Sequence, residues 1–106
     1  MAFPFNSEHE ISFERAAEMT KRYRESISPG ERIAGYFSAS ALVDLLNQKD
    51  ALGIRFYFSL NDENQMQIVA VGVNEAGNDL VGEDYLCMDM AIPCPQNCSE
   101  NNILNT

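Results

Sequence analysis

The chain has 106 residues, of which 45% are hydrophobic, with three cysteines, one histidine and no tryptophan. That is one domain with a real but modest core, and the composition excludes disorder along the whole length. Sixteen acids against seven bases give a net charge of −9, and every base lies at or before Arg55. Such a surface repels a phosphate backbone and an anionic bilayer, so neither nucleic acid nor membrane is expected as a partner.

The first eight residues, Met1 to Glu8, lack both the basic start and the apolar run of a secretory signal. No stretch has the length of a transmembrane helix. The expectation is a soluble cytoplasmic protein. Residues 1–10 form a short lead-in, pinned by Phe3 and Phe5. Ser12 then has the chemistry of a helix N-cap, and Glu14 follows in the first turn where the helix dipole favours an anion. Phe13, Ala16, Ala17, Thr20, Tyr23 and Ile27 recur at three- and four-residue spacing, the stripe of an amphipathic helix. The basic run Lys21-Arg22-Tyr23-Arg24 is flanked by Glu14, Glu18 and Glu25 within helical reach, so it is a solvated face rather than an anion site. Ser28-Pro29-Gly30 ends the helix.

Arg32 to Phe37 predicts a brief strand. Ser38 caps a second helix, with Phe37 and Leu42 spaced as a hydrophobic staple and Leu45 and Leu46 on its buried face. Gly53 to Leu60 alternates Ile54, Phe56, Phe58 and Leu60 against Arg55, Tyr57 and Ser59, the clearest strand pattern in the chain. A polar turn, Asn61 to Gln65, leads into a second strand, Met66 to Val73, whose continuous apolar run suits coverage on both faces. The short connection makes the two an antiparallel hairpin. Asn74 to Asp79 is another turn cluster. Tyr85 to Ile92 alternates again and predicts a third strand. The expected fold is α+β, with two helices packed on one face of a small antiparallel sheet of about three strands. Residues 1–92 form the domain, and 93–106 form a Pro-, Cys- and Asn-rich tail, free or lying across the core.

Several segments together resemble a known group. They are Ile11-Ser12-Phe13-Glu14-Arg15-Ala16-Ala17-Glu18-Met19-Thr20-Lys21-Arg22-Tyr23-Arg24, Gly35-Tyr36-Phe37-Ser38, Gly53-Ile54-Arg55-Phe56-Tyr57-Phe58, Val71 to Asp79, and the ending Pro93-Cys94-Pro95-x-x-Cys98. The chain resembles a group of small bacterial proteins of the Bacteroidetes type, which carries no assigned activity. The resemblance spans most of the chain and implies a bacterial origin and nothing about mechanism.

Three constellations bear on chemistry. Cys87, Cys94 and Cys98 supply three thiolates, with His9 as a fourth donor for zinc, but the spacing is not diagnostic and the histidine sits at the far end of the chain. A Cys94–Cys98 disulfide is geometrically feasible, though a cytoplasmic setting keeps it reduced. Cys87 reads as a small buried strand residue. The acidic turns at 61–65 and 74–79 lack the twelve-residue calcium loop and read as hairpin turns. Arg55 and Tyr57, on the polar face of the first long strand, are candidates to line a ligand cleft, against the plainer role of half-exposed sheet positions. Glu83, Asp84 and Asp89 make no convergent acid–base pair, and no phosphate loop or nucleophile elbow is present. No catalytic residue and no cofactor is expected. The favoured expectation is a non-enzymatic interaction or structural module that self-associates or binds a protein partner. The alternative is a small-molecule or metal-binding protein built on the C-terminal cysteines.

Overall fold

A computed structural model describes residues 2–106; Met1, part of the expected lead-in, lies outside them. The element order is α1 (Phe13–Ser26), β1 (Ala34–Tyr36), α2 (Ala39–Leu46), β2 (Gly53–Leu60), β3 (Met66–Val73), β4 (Cys87–Asp89) and β5 (Ile92–Cys94). The fold is an α+β arrangement of two helices and two small antiparallel sheets.

The helix starts follow their cap chemistry. Ser12 is extended and its hydroxyl accepts the Arg15 N–H at 3.0 Å. Ser38 does the same for the Ala41 N–H at 3.2 Å. Each thereby satisfies one of the donors a helix leaves open at its N-terminus. The chain turns extended again at Ile27, and Gly30 takes a positive φ of 89° in the turn that follows α1.

The central sheet has the order β2-β3-β4. Its register sets Arg55 opposite Val71, Tyr57 opposite Val69 and Phe58 opposite Ile68. Asn64, at φ 60°, closes the β2–β3 turn as the left-handed residue that a three-residue hairpin loop requires. The Asn61 side chain caps the same turn by accepting the Glu63 and Gln65 N–H groups, each at 2.9 Å. One sheet face therefore carries Ile54, Phe56, Phe58, Leu60, Met66, Ile68, Ala70 and Gly72. The other carries Arg55, Tyr57, Ser59, Val69 and Val71.

Both helices lie over the first of these faces. α2 comes so close that a Cβ on Gly72 would stand 3.4 Å from the Leu45 carbonyl oxygen and 2.9 Å from the Gln48 side-chain nitrogen. α1 stands off across an apolar groove of about 640 Å³, lined by Met19 and Tyr23 from the helix and Phe58, Met66 and Ile68 from the sheet.

The expected third strand from Tyr85 to Ile92 is two strands. β4 pairs with β3 in the central sheet, whereas β5 pairs with β1 in a separate ribbon. The chain changes sheet at Met90 and Ala91. The Met90 N–H is still bonded to Ile68, but the Ala91 N–H already donates to Tyr36. Met90 is almost wholly buried and fills the space that the missing side chain of Gly35 leaves. Burial alternates across β4, but Ile92, on the predicted apolar face, is exposed beyond the corner, because β5 belongs to the other sheet. β5 also runs into the stretch assigned to the tail, and the remainder folds back so that Arg24 donates to the Leu104 and Thr106 carbonyls.

The core is thin. Among the described residues the buried hydrophobic side chains are Leu45, Ala70, Val71, Val73, Leu80, Met90 and Cys94, and Leu45 alone is a large side chain enclosed completely. No residue of α1 is buried. The radius of gyration is 15.5 Å, against about 13 Å expected for a compact chain of this length.

Candidate functional site

Arg55 and Tyr57 stand two residues apart on β2, hence on the same face. The structure brings them together through a third residue, Asp79. Arg55 Nη1 donates to Asp79 Oδ1 at 2.6 Å and to the Gly77 carbonyl at 3.2 Å. The Tyr57 hydroxyl donates to Asp79 Oδ2. Asp79 is delivered by a single antiparallel bridge to Val73, where the turn after β3 folds back along that strand. Its neighbour Leu80 continues the fold-back, its N–H donating to Gly72 at 2.8 Å. Phe3 closes the cluster: its N–H donates to the Glu75 carbonyl, and its ring lies 5.6 Å below the Arg55 guanidinium. Gly77, at φ 85°, leaves the room into which that ring fits.

The electrostatics of the three groups reinforce one another. The hydrogen bond from Tyr57, then the Arg55 guanidinium, hold the Asp79 carboxyl below its ordinary value. The same hydrogen bond to Asp79 pushes the Tyr57 phenol up, and the bond to Asp79 raises Arg55 as well. At neutral pH the set is carboxylate, phenol and guanidinium, with both carboxylate oxygens engaged. No member is left as a free base: the Tyr57 hydroxyl and Arg55 Nη1 are committed to Asp79, while Arg55 also lines a cavity of about 450 Å³ with Phe3, Ser7, His9 and Phe56. The cluster is a clasp fastening the 74–79 turn and the lead-in to β2. The sequence marks Phe3 as a pin of the lead-in and Asp79 as the end of a turn, but it does not join either to β2: Asp79 is 24 residues from Arg55 and 22 from Tyr57, and Phe3 lies before the first helix.

The cysteines do not form a three-thiolate site. Cys94 and Cys98 are joined as a disulfide with their Cα atoms 4.7 Å apart. Cys87 is a free thiol on β4, opposite Val71, and it is exposed rather than the small buried residue expected. β4 is a three-residue strand with nothing beyond it in the sheet among the described residues, so strand placement does not bring burial. His9 Nε2 is paired with the Ser7 hydroxyl at 2.7 Å. Among the described residues no three His, Cys, Asp or Glu side chains are grouped to hold a metal ion. The thiolates that the metal-binding alternative needs from Cys94 and Cys98 are consumed by their bridge.

What remains is a surface. β2 is the outer strand of its sheet, and among the described residues no strand flanks its free side. Along it Phe58 is 84% exposed, Leu60 67%, Phe56 47% and Tyr57 45%. Phe56 has one aromatic neighbour, Phe37, edge-on at 5.5 Å. Phe13, Met19 and Tyr23 on α1 and Val43 and Leu46 on α2 are also exposed. Isolated apolar side chains at a surface are normal, but an uninterrupted aromatic edge is a mark of an interaction site. Among the described residues no helix is long and apolar enough to cross a membrane. The chain matches no protein-family model, and no curated protein or solved structure matches it.

Proposed function

We propose that this chain is a non-enzymatic interaction module that acts by associating through its apolar surface, with copies of itself as the first partner. The observation that carries the reading is the mismatch between core and surface. Among the described residues Leu45 is the one large side chain fully enclosed, while Phe56, Phe58 and Leu60 lie open on one edge strand. A domain of this length ordinarily buries about two thirds of the surface its unfolded chain exposes. Association supplies the missing burial, and obligate interfaces resemble a core divided between two chains. The Arg55–Tyr57–Asp79 clasp supports the same reading, because it neutralises the only charge on β2 and stiffens the strand that would be presented.

The bacterial origin that the resemblance implies belongs to this proposal. A cytoplasmic location sits less well with it: the Cys94–Cys98 bridge favours an oxidising compartment as the place where this conformation persists.

The test is the urea midpoint of the full chain at about 1 μM and about 100 μM, because association that stabilises the fold makes the midpoint rise with protein concentration. A rise supports the reading. Equal midpoints together with a monomeric hydrodynamic size contradict it.

A further inference from the structure

The assembly reading leaves open which surface pairs and how, and the sequence of β2 answers both. Its outward-facing backbone groups can be assigned. The Asn61 N–H donates to Gln65 across the turn, so Ser59, Tyr57, Arg55 and Gly53 bond inward to β3. Ile54, Phe56, Phe58 and Leu60 then direct their N–H and C=O groups away from the sheet. Among the described residues, none of these four takes part in a backbone hydrogen bond outside the β2–β3 ladder. Natural edge strands are protected by lysine, proline, a bulge or a covering element. β2 has neither lysine nor proline, and its ladder to β3 is unbroken from Gly53 to Leu60. The nearest covering segment, the lead-in at Ser7 and His9, faces Ile54 and Phe56 across a cavity of about 450 Å³ and makes no backbone hydrogen bond to the strand.

The strand is also chemically self-complementary about Tyr57. Reading outward from that residue, Phe56 matches Phe58, Arg55 matches Ser59 and Ile54 matches Leu60. A two-fold axis requires this property of a surface, since residue i of one copy must suit residue j of the other while j suits i. We infer that two copies pair antiparallel along β2, with the two-fold axis at Tyr57, to make one continuous six-stranded sheet. This rests on the assembly reading above and gives it a partner and a register.

In that register Phe56 meets Phe58 of the partner subunit, Ile54 meets Leu60 of the partner subunit, and the four outward residues hydrogen-bond across the seam. Arg55, already bound to Asp79, faces a serine. The turn acids Asp62 and Glu63 fall beyond the partner's strand, so no acid opposes an acid along the seam of two chains that each carry −9. Sliding by one residue sets outward groups against inward ones and swaps the faces. An axis at Phe56 instead leaves Leu60 opposite Leu52, which lies outside β2. Phe56, Phe58 and Leu60 project from one face of the sheet and Tyr57 from the other, so pairing covers the flank of each that meets the partner strand, and the seam rests on its backbone hydrogen bonds and cross-strand apolar pairs.

The test is cysteine cross-linking in full-length protein with Cys87→Ser, so that the free thiol does not compete. Across a non-hydrogen-bonded antiparallel pair the Cα atoms are about 4.5 Å apart, within disulfide reach. Tyr57→Cys therefore forms a covalent dimer on mild oxidation. Ser59→Cys does not, because its copies lie about four residues apart along the seam, roughly 13 Å. Phe58→Lys, at a residue already 84% exposed, leaves the monomer folded; it weakens the dimer by on the order of tenfold or more. Cross-linking at 57 and not at 59, with weakening by Phe58→Lys, supports the pairing. A dimer that cross-links equally at both positions overturns the register. A dimer that fails to cross-link at 57 and ignores Phe58→Lys overturns the pairing while leaving self-association intact. A wild-type chain that stays monomeric at every concentration overturns both.

Discussion

Leu45 concentrates much of what holds the monomer together. It is wholly enclosed on the inner side of α2, where that helix rests on Gly72 of the sheet. Leu45→Ala removes buried methyl groups and leaves a cavity that packed neighbours close only in part, a change that costs about 3 kcal/mol at a site of this kind. Whole-domain stabilities are about 5–15 kcal/mol, and so thin a core places this chain towards the lower end. With a urea m-value of about 1.2 kcal/mol/M, the midpoint falls by about 2 M or more. Far-UV circular dichroism in urea, below the concentrations at which chains associate, reads this directly. Leu46→Ala is the internal control, since Leu46 is the next residue on the same helix but is 46% exposed; it costs under about 1 kcal/mol. If the two substitutions cost the same, burial at Leu45 is not what secures α2, and the account of the core fails.

The clasp has a pH signature at both ends. Asp79 is held below its ordinary value, so its contribution is present above about pH 4 and is lost as the pH falls through the depressed folded value. Tyr57 is pushed up, so its contribution is present below about pH 10 and is lost as the pH rises through the raised folded value. Asp79→Asn flattens the acid limb and returns the Tyr57 phenol towards its ordinary titration, which ultraviolet absorbance detects; an unchanged titration contradicts the clasp. Gly77→Ala places a side chain at φ 85° and against the Phe3 ring. It costs about 1–2 kcal/mol and abolishes amide-exchange protection at Phe3, while retained protection refutes the seat drawn for that ring. Reduction of Cys94–Cys98 opens a short loop, worth about 2 kcal/mol in the chain-entropy view. Exchange protection should fall in β1 and β5 and persist in β2 and β3; uniform loss would show the two sheets to be one cooperative unit.

Local chemistry made much of the fold legible. Ser12 and Ser38 cap the two helices as their side chains dictate. The alternation from Gly53 to Leu60 and the run from Met66 to Val73 match the two long strands residue for residue. Long-range decisions were hidden. The stripe from Phe13 to Ile27 is a genuine helix face, yet it is covered only in part, with Ala16, Ala17, Thr20 and Ile27 half-buried and Phe13 and Tyr23 exposed, because amphipathicity reports a need for cover and not its source. The corner at Met90 depends on the small size of Gly35, more than fifty residues earlier. Arg55 and Tyr57 were rightly paired on one face. Their partner Asp79 depends on how the 74–79 turn folds back, which spacing does not encode. Cys87 was expected buried because it lies in a strand, and its exposure follows from β4 being short and at the edge.

Sedimentation equilibrium of the full chain tests the central claim most directly, run from about 1 μM to about 300 μM so as to bracket moderate and weak dissociation constants. The account predicts a mass that climbs from that of the single 11.9 kDa chain towards twice that value. A single-chain mass across the whole range would contradict it.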